Sequence, residues 1–332
     1  MAETVASGGE PQCTLTSDEQ GVVFSLGRDR LARYVSGAAP RPFLADLRGP
    51  GGRVVTRPLD LAGLPADSRD HPHQRGVWAG HRDVGGADLW TDFDGHGVIA
   101  ARGRPHVLTE PGRATACQEL DWIGAAGELL LTETRLVRAY PELGDGSRII
   151  DLELRLAALP GRPVTLGDTK EAGLAAVRVA VPMEERRGGR VENAAGVVGA
   201  DRCWGQPASW CDYSGPVSEG PDGGAPDGAR AGIAILDHPG NPRHPVSWHV
   251  RDYGLMAANP FGYRDFFPGQ HRDGSLELVP GAPVSFCYRI VVHAGDARVG
   301  RVAERYAEFA ATARPGEQAG QQAGSGNAPG DL

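Results

Sequence analysis

The sequence has one lysine, Lys170, among 34 basic residues, and 42 acidic residues leave a formal net charge of −8. A chain with this acidic balance is ill suited to a phosphate backbone, which is gripped through Lys and Arg with counterion release, so no nucleic-acid partner is expected. No apolar run approaches the roughly 18 residues that cross a bilayer, so no membrane partner is expected. The five cysteines (Cys13, Cys117, Cys203, Cys211 and Cys287) are scattered, odd in number and without a Cys-x-x-Cys pair. That pattern argues against both a disulfide framework and a thiolate zinc site. The first residues lack a basic segment followed by an apolar one, so no signal peptide and a cytoplasmic location are expected. Also missing are a Gly-rich phosphate loop, a dinucleotide-binding fingerprint, a Gly-x-Ser-x-Gly elbow and His-Glu-x-x-His. Nucleotide hydrolysis, self-contained hydride transfer and serine hydrolysis lose their usual signatures.

What is abundant is glycine and proline, 48 and 26 residues, spread along the chain. They favour many short strands joined by turns. Strand-like runs occur at 22–26, 43–47, 53–57 and 97–101. Two stretches alternate clearly. Ile150, Leu152, Leu154 and Leu156 share one face against Asp151, Glu153 and Arg155. Val284, Phe286, Tyr288, Ile290 and Val292 repeat the period of two, so both stretches predict strands with one buried face. One helix is expected, capped by Asp296 and carrying Val299, Val302, Tyr306 and Phe309 on one face through Ala310. Residues 1–12 and 315–332 read as disordered tails and 215–230 as a flexible loop. The fold expected is all-β, a large antiparallel β-sandwich with one C-terminal helix, as a single domain over 13–313.

Three segments carry candidate chemistry. Residues 70–81, D-H-P-H-Q-R-G-V-W-A-G-H, hold three of the ten histidines, and in an extended chain His71, His73, Arg75 and His81 share a side. Residues 167–174, G-D-T-K-E-A-G-L, contain the lone lysine beside Glu171; adjacent on a strand they would diverge, but from a turn they would converge. Residues 237–251 repeat Asp-His-Pro at Asp237 and His238, then place Ser247, His249 and Arg251 opposite Val246, Trp248 and Val250. Tyr253 and Asn259 follow. Trp204 and Trp210 offer flat apolar faces of the kind on which the C–H edges of sugars stack. For each segment the plain alternative is a solvated loop or a core aromatic; their joint occurrence favours one polar pocket.

Together these segments resemble a family called PmoA-like. Its motifs stand here at 70–76, 167–174, 210–215 (W-C-D-Y-S-G), 237–243 and 248–254, in the family's order and over about residues 20–300. The sequence departs at Gln74, where a second adjacent histidine is usual, and at Gly85 and Gly86, where Asn-Gly is usual. A role requiring residue 74 to titrate is thereby in doubt. The name suggests a methane monooxygenase subunit, but that subunit is integral to the membrane and this chain has no spanning run. The resemblance implies a sandwich like that of galactose-mutarotase-like carbohydrate enzymes, often encoded near sugar oxidoreductases. It points to a substrate that is a sugar, glycoside or nucleoside.

The expected function is acid–base chemistry on a sugar moiety by a dehydratase, a carbon–oxygen lyase. His73 and His249 are the candidate acid and base, because imidazole titrates near neutral pH. Lys170 or Arg75 would stabilise developing negative charge, and Glu171 would orient the pair or serve as base. His71, His81, Asp237, His238, Trp210, Tyr213, Arg251 and Asn259 would line the substrate site. Epimerisation at the anomeric carbon would use the same groups. A second reading is a metal-dependent enzyme, even an oxygenase, with a divalent ion held by His71 or His73, His81, His238, His249 and Glu171. A third is a sugar-binding module without catalysis. A poorly acidic proton would call for NAD or a neighbouring oxidoreductase to form a ketone first, and the sequence has no NAD-binding motif.

Overall fold

The computed structural model describes residues 13–37, 39–217 and 228–313. The chain opens with β1 (Cys13–Asp18), β2 (Gly21–Leu26), β3 (Asp29–Val35), β4 (Phe43–Ala45) and β5 (Val77–His81). It then crosses to a second sheet through β6 (Val98–Ala101), β7 (His106–Glu110), β8 (Arg113–Ile123), β9 (Leu129–Ala139) and β10 (Arg148–Ala158). After β11 (Val164–Leu166), β12 (Ala172–Arg178) returns to the first sheet. Next come β13 (Arg190–Asn193), the short α1 (Ala200–Cys203), β14 (Trp210–Pro216) and β15 (Arg230–Asp237). The chain ends with β16 (Ser247–Val250), β17 (Leu255–Asn259), α2 (Tyr263–Phe266), β18 (Leu276–Leu278), β19 (Val284–Ala294) and α3 (Val302–Ala310).

One sheet has eight strands, in the order β1-β2-β3-β4-β5-β12-β17-β16. The other follows β13-β14-β15-β19-β10-β9-β8-β6, with β7 also paired to β8. Strands β11 and β18 form a small separate ribbon. The all-β antiparallel sandwich expected from the sequence is therefore the fold. Its core lies between the sheets, where Phe24, Leu31, Trp122, Leu152, Leu154, Phe286 and Ile290 are fully or almost fully buried. At about 1.5–3 kcal/mol per large apolar side chain, these faces hold the sheets together.

The alternation at 150–156 and 284–292 gives the inward faces of β10 and β19, paired Ile150 to Ile290 and Leu154 to Phe286. Their outward face is not wet, however. Asp151 and Glu153 are buried, the first held by Arg289 and Tyr140, the second by Arg138. Helix α3 covers part of this face, with Val302 and Phe309 packed on Trp210, Leu236 and Val291.

Other elements differ from expectation. Asp296 does not cap α3. It accepts a hydrogen bond from the Val299 amide within a preceding turn, and Arg301, at φ 51°, breaks the path before the helix begins at Val302. Val299 is therefore exposed. Residues 53–57 make only isolated bridges, Val54 with Arg48 and Thr56 with Val179. Gly215 and Pro216 belong to β14 and Arg230 to β15, whereas 218–227, like the two expected tails at 1–12 and 315–332, lies outside the described residues.

The core also holds charge. Glu133 and Arg135, both inward on β9, pair at 2.6 Å, and the Trp122 indole donates to the same carboxylate. Glu133 is held in the core by Arg135, two residues along the same strand, and by Trp122 on neighbouring β8.

Candidate active site

The outward face of the eight-stranded sheet carries a second apolar layer of Trp78, Trp90, Ala176, Leu255 and Ala257, with Tyr253 packed against it. Trp78 and Trp90 lie 5.4 Å apart and are fully buried, so neither offers a free face to a ligand. Small residues in β12 let Trp90 settle, because a Cβ on Gly173 would come within 2.8 Å of Ala257 and 3.5 Å of the Trp90 ring. His249 stands on this same face, paired across β16 and β17 with Ala257.

The loop before β5 is not extended. It turns at His71, whose φ is 47°, and again at Gly76, where a Cβ would lie 1.9 Å from the Leu44 carbonyl oxygen. The shared side expected for His71, His73, Arg75 and His81 is therefore lost. Buried Arg57 shapes the loop by donating to the carbonyls of Ser68, Asp70, His71 and Gln74. Asp70 binds His71 Nδ1 at 2.5 Å and accepts from Arg178 at 2.6 Å. Burial alone would raise the Asp70 carboxyl, but His71 and Arg178 outweigh it and hold the group well below the usual carboxylate range. The His71 ring stacks on Tyr253, centroids 5.1 Å apart, and Tyr253 lies beneath the Arg178 guanidinium at 4.6 Å.

Gln74, where the resemblance has a histidine, is buried and accepts from Arg178 Nη1 at 2.7 Å. An amide oxygen fills that acceptor role with no need to titrate.

The Lys170 turn arrives over the end of β17. Asn259 Nδ2 donates to the Thr169 and Lys170 carbonyls, and the Lys170 amide donates to Asp265. Asn259 thus positions the turn by its backbone. Among the described residues, the Lys170 amine and the Glu171 carboxylate have neither hydrogen bond nor ion pair, and both side chains are half-buried. Arg251, also without an ion pair among the described residues, lies over the Trp204 ring at 5.2 Å. Tyr213, fully buried, is not in this cluster; its hydroxyl accepts from the Glu185 amide and sits 3.0 Å from the Asp252 carbonyl, pinning the turn that carries Arg251 and Tyr253.

His249 is buried and neither ring nitrogen makes a well-formed hydrogen bond, the Lys170 carbonyl being the one acceptor that acts on the ring. Burial, followed by the charge of Arg251 and, less strongly, those of Lys170 and His71, pushes its pKa down to about 3, against the pull of the Lys170 carbonyl. His73 lies edge-on to His71 at 5.7 Å and to Phe93 at 6.0 Å, with Nδ1 unpartnered. Burial and then Arg41 lower it to about 4. Both imidazoles are neutral at pH 7, so the expectation that they titrate near neutrality fails. Arg75 is taken up by Asp92 at 2.7 Å, and Asp92 also meets Arg41 at 3.0 Å.

His71, Lys170 and Arg251, from segments far apart in sequence, are close enough for their charges to act on His249, His73 lies against His71, and Glu171 acts on Tyr253. Others lie elsewhere. His81 points between the sheets, edge-on to Phe261 at 4.6 Å, and burial lowers it to about 3. Asp237 is consumed by Asn241, His244 and the Val246 amide. His238 packs on Phe309 of α3. Trp210 lies under α3, and the half-buried Trp204 is the tryptophan beside the cluster. Asp70, Arg178 and Asn259 have positioning roles that sequence reasoning largely missed. Asp70 was adjacent to His71 in the motif, but nothing local marks Arg178.

The proposed metal ligands are thus dispersed: His81 and His238 point into separate cores. Among the described residues no group of three or more His, Cys, Asp or Glu is disposed around a common ion position. These residues do not fit the expected divalent site. Nor is any helix among them long and apolar enough to cross a membrane.

The chain belongs to a family of unknown function, DUF6807, whose model matches residues 21–307. That description does not carry the PmoA-like name suggested by the motifs. No curated protein matches the sequence. Among solved structures, the chain is similar to the Slr1438 protein of Synechocystis sp. PCC 6803 at 13% identity and TM-score 0.34, covering 89% of this chain and 100% of that one. A galactose mutarotase-like protein from Lactobacillus casei ATCC 334 matches at 9% identity and TM-score 0.35, covering 85% of this chain and 100% of its own. A GH36 alpha-galactosidase from Geobacillus stearothermophilus, in complex with stachyose, matches at 12% identity and TM-score 0.35 over 85% of this chain and 41% of its own.

Proposed function

We propose that the protein is an enzyme that acts on a sugar-containing small molecule by proton transfer, as a carbon–oxygen lyase that eliminates water. The observation that carries this reading is the gathering of unpartnered polar groups on one sheet face. Neither His249 ring nitrogen makes a well-formed hydrogen bond, the Lys170 charge acts on that ring, and Lys170 and Glu171 are without ion pairs among the described residues. Native proteins rarely bury polar groups without partners, so a cluster of them suits a ligand that supplies the missing hydrogen bonds. The half-buried rings of Tyr253 and Trp204 supply apolar walls, and a sugar offers both hydroxyls and C–H edges to such a site.

In this reading neutral His249 takes the carbon-bound proton, with Glu171 as the alternative base. His71 in its imidazolium form, its Nδ1–H held by Asp70, gives its Nε2 proton to the leaving oxygen and is left neutral. This reassigns the acid from His73, which stands behind His71 and positions it. The electron pair of the C–H bond forms the new double bond as the C–O bond breaks, so no oxidant is required. Lys170 holds negative charge as it develops.

The test is solvent exchange. Sugars, glycosides and nucleosides incubated with the protein in D₂O are followed by proton NMR. Loss of one C–H signal or appearance of an alkene or deoxy-ketone product is expected with wild type and not with His249→Ala that still binds. Sugar binding without exchange or turnover in wild type would favour the binding-module reading; exchange confined to the anomeric carbon would favour epimerisation.

A further inference from the structure

Resting on the sugar reading above, we infer that the substrate is a sugar acid, whose carboxylate is held between Arg251 and Lys170. The arginines around this cluster otherwise have acceptors. Arg41 and Arg75 meet Asp92, Arg57 donates to four carbonyls, and Arg178 meets Asp70 and Gln74. Arg251 and Lys170 alone in this cluster, among the described residues, lack an anionic partner, although both are half-buried. Two half-buried cations face a single unpaired carboxylate, Glu171, so the cluster is one negative charge short, and a bound anion completes it. Arg251 is also preset, because the Trp204 ring supports its guanidinium.

The chemistry favours a carboxylate over other anions. Removing a proton from an ordinary sugar carbon leaves an unstabilised carbanion. A carboxylate on that carbon takes up the charge as an enediolate, and two cations beside it stabilise the added charge. The base removes the α-proton, the C–H pair becomes a carbon–carbon double bond, and the β-hydroxyl leaves as water with a proton from the acid. The resulting enol rearranges to a 2-keto-3-deoxy acid. Atoms and electrons balance without a redox partner, and the two imidazoles reset by exchange with solvent. The anion also answers a difficulty with His249. Arg251 and Lys170 help hold its basicity down. A bound carboxylate offsets both, so the base strengthens when substrate is present.

The experiment compares five- and six-carbon aldonates and uronates with their neutral aldoses and amides, and with sugar phosphates, by isothermal titration calorimetry at low and high salt. The acids are expected to bind about tenfold tighter or better than the matched neutral sugars, about 1.4 kcal/mol, and to weaken with salt. Arg251→Gln is expected to erase that preference while neutral-sugar binding persists; if it does not fold, Lys170→Gln takes its place. Neutral sugars binding as well as acids, phosphates binding best, or a preference untouched by both variants would overturn the inference and leave the sugar reading standing. Failure of every sugar to bind would overturn both.

Discussion

Asp70 grips His71 Nδ1 at 2.5 Å and Arg178 at 2.6 Å, so one carboxylate fixes the orientation of an imidazole and is itself fixed by a buried guanidinium. The arrangement leaves His71 Nε2 as the nitrogen available to a ligand. Asp70→Asn keeps the shape but reverses the demand on the His71 tautomer. Turnover of whichever substrate is found is expected to fall by about 10²–10⁴ with little change in KM. Nitrogen-15 NMR of the imidazole provides an independent reading: the proton should leave Nδ1 in the variant. An unchanged tautomer would remove Asp70 from this role.

Arg57 shapes the His71 loop. Arg57→Ala strands four carbonyls, each worth about 1–3 kcal/mol when buried without a partner. Some will find water, so a loss of several kcal/mol in urea unfolding is expected. Hydrogen exchange should rise first across residues 68–76. Uniform exchange with an unchanged urea midpoint would show that the loop holds itself.

Acidification should destabilise the fold in a window set by buried histidines. Burial holds His73, His81 and His249 down to about 4, 3 and 3 in the fold, below the ordinary imidazole value of 6.5. Their neutral forms are favoured in the fold, so below the unfolded value of 6.5 the unfolded chain binds more protons and stability drops as pH falls toward the folded values. A tenfold difference in proton affinity between the folded and unfolded chain is worth about 1.4 kcal/mol, so a loss on the order of a few kcal/mol is expected between pH 6.5 and 4.5. Asp70 and Asp92, with lowered pKa values, contribute only below this window. His293 acts in the opposite sense: burial opposes its charge, but Asp212 raises its pKa, so its contribution is present below 6.5 and lost as pH rises. Melting temperatures across this range check the prediction, and a flat profile between pH 6.5 and 4.5 contradicts it. Replacing His81 with Phe should flatten the slope.

Within the core, Glu133 neutralises Arg135 and accepts from Trp122. Glu133→Ala leaves a buried guanidinium without its partner, and a loss of about 3–5 kcal/mol is expected in chemical denaturation. A double replacement by apolar residues of similar volume should recover most of that loss. A single variant as stable as wild type would mean that water reaches Arg135.

The fold was legible where one face is purely apolar, as at Ile150 to Leu156, because a period of two has one reading on a buried strand. It was less legible where burial comes from covering. Nothing in the alternation of β10 reveals that Arg289 and α3 enclose Asp151. The site was half legible. Lys170, His249 and Arg251 stood out by residue type and meet in space. Asp237 and His238 shared the same Asp-His-Pro signature as Asp70 and His71 yet serve a different sheet, since a local motif carries no information about which layer its loop joins. The titration expectation failed for the same reason: the pKa of His249 depends on burial by β17 and on Arg251, and neither is disclosed by its spacing.

The most direct measurement is histidine NMR on protein labelled with ¹³C at the imidazole carbons and assigned by single substitutions, titrated with the aldonate and uronate panel. Saturable shifts are expected at His71, His73 and His249, with His81, His238 and His293 unmoved. Shifts confined to His81, His238 or His293, or saturable binding that moves none of the first three, would contradict the placement of the site on this sheet face.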